Sequence, residues 1–116
     1  MDRKKELKEQ YKQRKTDMGI MIIRSNFDRK CFLEATQDLQ SRLNRARFSL
    51  DYGGFFNKEL QKVWKEHGAE AFTIEVLEKL PYDKEDEAKT DYSEDLQLMQ
   101  MIWEDKLTVE GWAFYK

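Results

Sequence analysis

Three short apolar or alternating stretches of the chain predict β-strands. Residues 19–24 (Gly-Ile-Met-Ile-Ile-Arg) form an apolar, β-branched run that predicts a buried strand, and residues 31–35 predict a second one. Asn26 and Asp28 supply turn chemistry between the two runs, which therefore predict a β-hairpin. Residues 72–77 mostly alternate apolar and polar side chains, which predicts a third strand with one buried face.

A helical period separates the hairpin from the third strand. Thr36 is the expected N-cap of a first helix that runs to about residue 50 and carries on one face Leu39, Leu43 and Ala46. Residues 51–54 break this helix. Asn57 is the expected N-cap of a second helix, which Gly68 ends.

The C-terminal quarter predicts one more helix. Asp91 and Glu94 have capping-box spacing, and an apolar stripe follows at Leu96, Met99, Trp103 and Leu107. Gly111 marks a break, after which three aromatic residues are expected either to cover the core or to anchor a protein partner: Trp112, Phe114 and Tyr115. Packing against the core is the preferred alternative.

The segment before the first strand is polar and rich in Lys, Arg, Glu and Gln. It predicts an exposed basic helix over residues 2–15, and a nucleic-acid-binding arm is the alternative. The predicted organisation is thus a basic helix at 1–17 and an α+β domain at 18–116. In this order, α-β-β-α-α-β-α, a small three-stranded antiparallel sheet is flanked by helices.

Charge is distributed unevenly along the 116 residues. Residues 1–50 carry 13 Lys and Arg against 7 Asp and Glu, a net +6, whereas residues 51–116 carry 8 against 16, a net −8. Tight non-specific binding of nucleic acid by the whole surface is therefore not expected, but a local basic face is compatible with these counts. No apolar run approaches the ~20 residues of a membrane span, and no secretory signal begins the chain, so a cytoplasmic location is expected. The single cysteine, Cys31, is interpreted as a small core residue.

Two polar residues lie beside apolar helical stripes. Arg42 borders the stripe of the first core helix, where it can reach the surface, pair with a carboxylate or bind a ligand. Gln100 borders the stripe of the last helix, where it is a half-exposed boundary residue, hydrogen-bonds against the core or lines a small cleft.

The order of these elements resembles the GIY-YIG nuclease superfamily. Gly19-Ile20-Met21 matches its first motif, Gly-Ile-Tyr, and Phe32-Leu33-Glu34 falls on its second, Tyr-Ile-Gly. Leu39, Arg42 and Leu43 match the helix that follows, and residues 57–68 and 72–78 are also similar to many members. Each motif alone is weak, but their order and spacing over residues 18–108 make the resemblance fairly specific.

The resemblance implies a phosphodiesterase site in which most catalytic groups are replaced. Active members use two tyrosines, an arginine and a metal-binding glutamate. Only the arginine carries over, as Arg42; Met21 and Phe32 replace the tyrosines, and Gln100 falls on the glutamate, where a neutral amide is a poor ligand for a hard cation. Glu75, Glu94, Asp95 or Glu104 could supply a displaced ligand if the alignment is shifted.

These substitutions predict a GIY-YIG-like domain with impaired catalysis that binds nucleic acid or acts as a regulatory module. The expected nucleic-acid-binding residues are Arg24, Arg29, Lys30, Arg42 and Arg45, and no metal site or cofactor is expected. An active endonuclease that uses Mg²⁺ through displaced ligands is one alternative. A protein-interaction module that uses the acidic C-terminal half is another.

Overall fold

The computed structural model describes residues 16–116 of the chain. Four strands and three helices follow one another in the order β1 (Met18–Ser25), β2 (Lys30–Thr36), α1 (Leu39–Tyr52), α2 (Lys58–His67), β3 (Phe72–Leu80), α3 (Ser93–Val109) and β4 (Ala113–Phe114). A single 3₁₀ turn, Ala69–Ala71, joins α2 to β3. The α+β class is confirmed. The basic helix predicted for residues 2–15 lies outside the described residues, and the domain division at residue 17 stays a prediction.

The sheet has four strands in the order β3-β1-β2-β4 rather than the three that were predicted. β1 pairs antiparallel with both β2 and β3, and β4 joins β2 in parallel, so the sheet is mixed. β4 forms because the chain turns at Gly111 and returns along β2, where the Ala113 N–H donates to the Arg29 carbonyl at 2.7 Å. A strand of two residues is too short to show a hydrophobic period, which explains why the sequence did not predict it.

Side-chain alternation along β1 creates a separate core on each face of the sheet. Met21 and Ile23 point with Phe32 toward α1 and α2. Ile20 and Ile22 point to the opposite face, where they pack with Leu107 of α3. The central strand is buried on both faces, as its nearly continuous apolar sequence predicted.

Two of the predicted helix caps are wrong. Thr36 ends β2, and it is the Asp38 carboxylate that caps α1 by accepting from the Ser41 N–H at 3.2 Å. α3 has no side-chain cap, because Asp91 accepts instead from the N–H and hydroxyl of Ser93. The predicted Asn57 cap of α2 is confirmed, with its side-chain oxygen 3.1 Å from the Leu60 nitrogen.

The C-terminal aromatic residues pack against the body of the domain, as preferred from the sequence. Tyr115 is buried in the core beneath α1 and α2, and Trp112 and Phe114 pack against the core on the α3 side. No helix within the described range is long and apolar enough to cross a lipid bilayer.

Gly19 of β1 lies directly against the backbone of β3. Its φ is +156°, and a Cβ atom at this position would come within 2.0 Å of the Glu78 carbonyl oxygen. The register between the two strands also shifts just beyond it, between Ile20 and Met21. Only a residue without a side chain fits this contact.

We therefore expect Gly19→Ala to lower the free energy of unfolding by about 2–3 kcal/mol, because the strands must move apart. Gly54→Ala is the control, since its nearest heavy atom would be a Tyr52 ring carbon at 3.9 Å. Urea denaturation followed by circular dichroism measures both changes. Equal stability of the two variants would contradict the close-approach explanation.

Cys31 is fully buried in the core between the sheet and α3. Burial raises the pKa of its thiol from 9.0 to about 11, although the nearby Arg24 opposes the shift. The sequence-based assignment of a core cysteine is confirmed.

At pH 8 the native thiol should therefore react with iodoacetamide at least about a hundredfold more slowly than a free cysteine, because the thiolate is the nucleophile. Mass spectrometry over time measures the labelling, and the same chain in urea provides the control. Rapid labelling of the folded protein would show that this position is accessible.

Candidate functional site

Arg42, which the resemblance matches to the family's arginine, is held in an ion pair on the α1–α2 face of the sheet. Its Nε donates to Oε2 of Glu34 at 2.6 Å, and the side chains are only 18% and 28% exposed. The guanidinium carbon also lies 5.8 Å and 5.7 Å from the ring centres of Phe55 and Phe56. Of the alternatives left open by the sequence, pairing with a carboxylate is confirmed.

The position of Glu34 explains this pairing. Glu34 lies opposite Met21 in the β1–β2 ladder, so its carboxylate points to the same face as Met21 and toward α1. A partly buried guanidinium requires an acceptor, and a charge-assisted hydrogen bond at this distance is a strong one. The charge of Arg42 is therefore largely compensated inside the domain.

The two positions that match the family tyrosines line the same face with apolar groups. Met21 is fully buried and Phe32 is 8% exposed. The Phe32 ring packs edge-on against Phe55 and Phe56, with centroids 5.4 Å and 5.6 Å apart. Neither side chain carries a proton that can be transferred at neutral pH.

Gln100 joins α3 to the end of β2. Its Oε1 accepts from the Ala35 N–H at 3.2 Å, and its Nε2 donates to Oε1 of Glu104 at 2.9 Å. Ala35 follows Glu34 directly, so Gln100 and Arg42 contact neighbouring residues of β2 from α3 and α1. Both ends of the amide have protein partners, and the cleft-lining alternative is not needed to explain its position.

The residues around Arg42 do not fit a divalent cation. Glu34 is bonded to Arg42 and the Gln100 oxygen to Ala35. Three of the four acids considered as displaced ligands have other partners: Glu104 pairs with Gln100, Glu75 with Arg24 at 3.3 Å, and Asp95 with Lys89 at 2.7 Å. Between residues 16 and 116, no three His, Cys, Asp or Glu side chains come together in a metal-binding arrangement.

The five basic residues predicted to bind nucleic acid do not form one continuous face. Arg24 and Arg29 lie on the α3 side, 5.5 Å and 5.1 Å from the ring centre of Trp112. Lys30 binds Glu59 of α2 at 2.8 Å, and this hydrogen bond raises the pKa of Lys30 and lowers that of Glu59. Arg45 is exposed on α1, and no carboxylate of the described chain pairs with it.

The described domain consists of an antiparallel hairpin, two helices, a third antiparallel strand and a final helix packed across the other face of the sheet. This is the order of elements on which the resemblance to the GIY-YIG nuclease fold was based.

Solved structures support this fold assignment. The catalytic domain of the homing endonuclease I-TevI superposes with a TM-score of 0.62 at 22% identity, covering 78% of this chain and 88% of that domain. A glutamate-to-alanine mutant of that catalytic domain gives a TM-score of 0.63, also at 22% identity, covering 84% and 93%. No family model matches the chain, and no curated protein matches it.

Sequence reasoning missed some residues that surround Arg42 and Gln100. Phe55 and Phe56 follow the Gly53-Gly54 turn and bring their rings to the guanidinium, a contact with no periodic signature. Glu104 was considered only as a metal ligand, although its spacing of four residues from Gln100 on one helix predicts a hydrogen-bonded pair.

A double-mutant cycle between Glu34→Gln and Arg42→Gln measures the strength of the central ion pair. We expect a coupling free energy of about 1–3 kcal/mol, because breaking a partly buried pair leaves the other charge without a partner. The Asp17–Lys79 pair, 3.0 Å apart but 67% and 61% exposed, is the matched control. Its coupling should not exceed about 1 kcal/mol. A central coupling as small as the control value would contradict a structural role for the pair.

Proposed function

We propose that this chain is a GIY-YIG-like domain that binds nucleic acid and is impaired in phosphodiester hydrolysis. The observation that carries the second part is the Arg42–Glu34 ion pair at 2.6 Å within an apolar surround. An arginine that stabilises charge developing on a phosphate must be free to meet it. Here the guanidinium is already paired with a carboxylate of the same domain, that of Glu34.

The other replacements remove separate parts of the reaction. Hydrolysis of a phosphodiester needs a group that accepts a proton from water, and Met21 and Phe32 offer none. It also needs stabilisation of the leaving oxygen, to which a metal contributes several kcal/mol. The donor set around Gln100 does not fit a cation, so we propose that the domain functions without a metal or other cofactor.

Binding of nucleic acid is supported by the fold and by uncompensated basic side chains. The similar solved structures are catalytic domains of a homing endonuclease, also described as an intron endonuclease. In this chain Arg45 remains exposed on α1 without an acidic partner in the described residues. Basic side chains of this kind contact phosphates without requiring a catalytic site.

The alternative of a protein-interaction module has weaker support. Its proposed anchors, Trp112, Phe114 and Tyr115, are engaged in packing against the two cores. The acidic C-terminal half also supplies the partners of Arg24 and Lys30, which gives several of its charges an internal role.

The full-length protein, mixed with fluorescently labelled single-stranded and duplex DNA and RNA, should shift the mobility of at least one of them and leave all of them intact. Binding should weaken as salt rises from about 50 to 200 mM, since phosphate contacts release counterions. Gel shift and denaturing electrophoresis from the same reactions, with Mg²⁺ or Mn²⁺ present, measure binding and cleavage separately. The I-TevI catalytic domain serves as the positive control for cleavage.

Two outcomes would overturn this proposal. If no nucleic acid is bound at low salt, the binding function is wrong. If DNA is cleaved and Arg42→Ala abolishes the cleavage, the domain is an active endonuclease and its ion pair must open during the reaction.

A further inference from the structure

A ridge of two exposed aromatic rings runs along the outer side of α1. Phe48 and Tyr52 are one helical turn apart and 69% and 82% exposed. Their rings are nearly parallel, with centroids 5.9 Å apart and an interplanar angle of 7°. Phe56, which is 65% exposed, follows after the turn. So much aromatic surface on one side of a small domain is typical of a binding surface.

A basic groove lies beside this ridge, between the end of α1 and α2. It has a volume of about 590 Å³, and Tyr52 forms part of its wall. Three lysines with helical spacing line it from α2: Lys58, Lys62 and Lys65. No carboxylate in the structurally described part of the chain forms an ion pair with any of the three.

The groove therefore carries an excess of positive charge. Asp51 is the one acid among the residues that line it, and its Oδ1 accepts a hydrogen bond from the Trp64 indole at 3.2 Å. Three lysines against this one carboxylate leave a formal charge of +2 at the groove. Arg45, one turn before Phe48 on the same helix, extends the positive surface along the ridge.

Exposed rings beside unpaired lysines favour a ligand that carries both planar groups and negative charges. Aromatic side chains stack on unpaired bases, and lysines beside them neutralise the connecting phosphates. A duplex hides its base faces inside the stack and can offer only phosphates to this surface. An anionic protein segment would match the lysines but would leave the stacked rings without planar partners.

We propose that this surface, the Phe48–Tyr52 ridge with the lysine groove, binds single-stranded nucleic acid. The inference rests on the proposed nucleic-acid-binding function and names its substrate class and its site. The groove is distinct from the positions that match the family's catalytic residues, because none of these lines it. Arg42 is also paired with Glu34, whereas the groove lysines have no acidic partner among the described residues.

Fluorescence anisotropy of the full-length protein with a labelled 12-nucleotide oligothymidylate tests the site. Tyr52→Leu keeps the apolar surface but removes the ring, and it should weaken binding about five- to 150-fold at every salt concentration. Tyr52→Phe should bind like the unmodified protein, because a phenyl ring also stacks. Leu98→Ala on the outer side of α3, where Leu98 is 59% exposed, is the matched surface control and should leave binding unchanged.

The lysines are tested by a salt titration. Lys62→Gln combined with Lys65→Gln should lower the slope of log affinity against log salt by about 1.4, at about 0.7 for each lost single-strand phosphate contact. Lys84→Gln combined with Lys106→Gln changes the net charge equally but lies outside the groove, so its slope should not change.

The outcomes separate this inference from the broader function. The site is wrong, while nucleic-acid binding stands, if the strand binds but Tyr52→Leu and the groove lysine variant bind it like the controls. The site is also wrong if a 12-base-pair duplex binds more tightly than the strand. If the protein binds neither strand nor duplex, the proposed function itself is wrong.

Discussion

The ion pair between Arg42 and Glu34 is the constraint around which the α1–α2 face of the sheet is arranged. A guanidinium that is 18% exposed beside two phenylalanine rings would be costly without an acceptor. Glu34 supplies that acceptor from the position where the resemblance implies glycine. The arginine and the glutamate are therefore best understood together, because the loss of either would leave the other partly buried and unpaired.

The residues at the other positions that match the family motifs also make internal contacts. Met21 and Phe32 fill the face with apolar volume, and Gln100 uses both ends of its amide to join β2 to α3. Groups that transfer protons or bind metals must be accessible and incompletely satisfied, whereas these are buried or fully paired. In such a site, stability favours satisfied contacts and catalysis favours unsatisfied ones. In this domain the polar groups of Arg42 and Gln100 have internal hydrogen-bond partners.

The sequence predicted those parts of the structure that depend on local periodicity. The three longer strands, the three helices of the described region and the Asn57 cap followed from apolar spacing and residue chemistry. The Thr36 cap and the Asp91 capping box were wrong because several neighbouring residues could accept the same N–H, and the tertiary structure decides among them. β4 and the ring contacts of Arg42 join residues far apart in the chain, and such contacts leave no periodic pattern. Arg42 itself was identified from its position beside an apolar stripe. The sequence left open whether it reaches the surface, pairs with a carboxylate or binds a ligand.

The uneven charge of the two halves also has a structural explanation. Glu75 and Glu59, from the acidic half, pair with Arg24 and Lys30 from the basic half, so part of the asymmetry is neutralised inside the fold. Net charge is consequently a poor guide to where this protein meets a polyanion. What matters is which cations remain without acidic partners, and in the described residues these include the exposed lysines of α2, whereas Arg24 and Lys30 of the hairpin are paired. Because a local potential decays within about 8–10 Å at physiological salt, a small uncompensated group beside exposed rings can direct binding even on a chain of net charge −2.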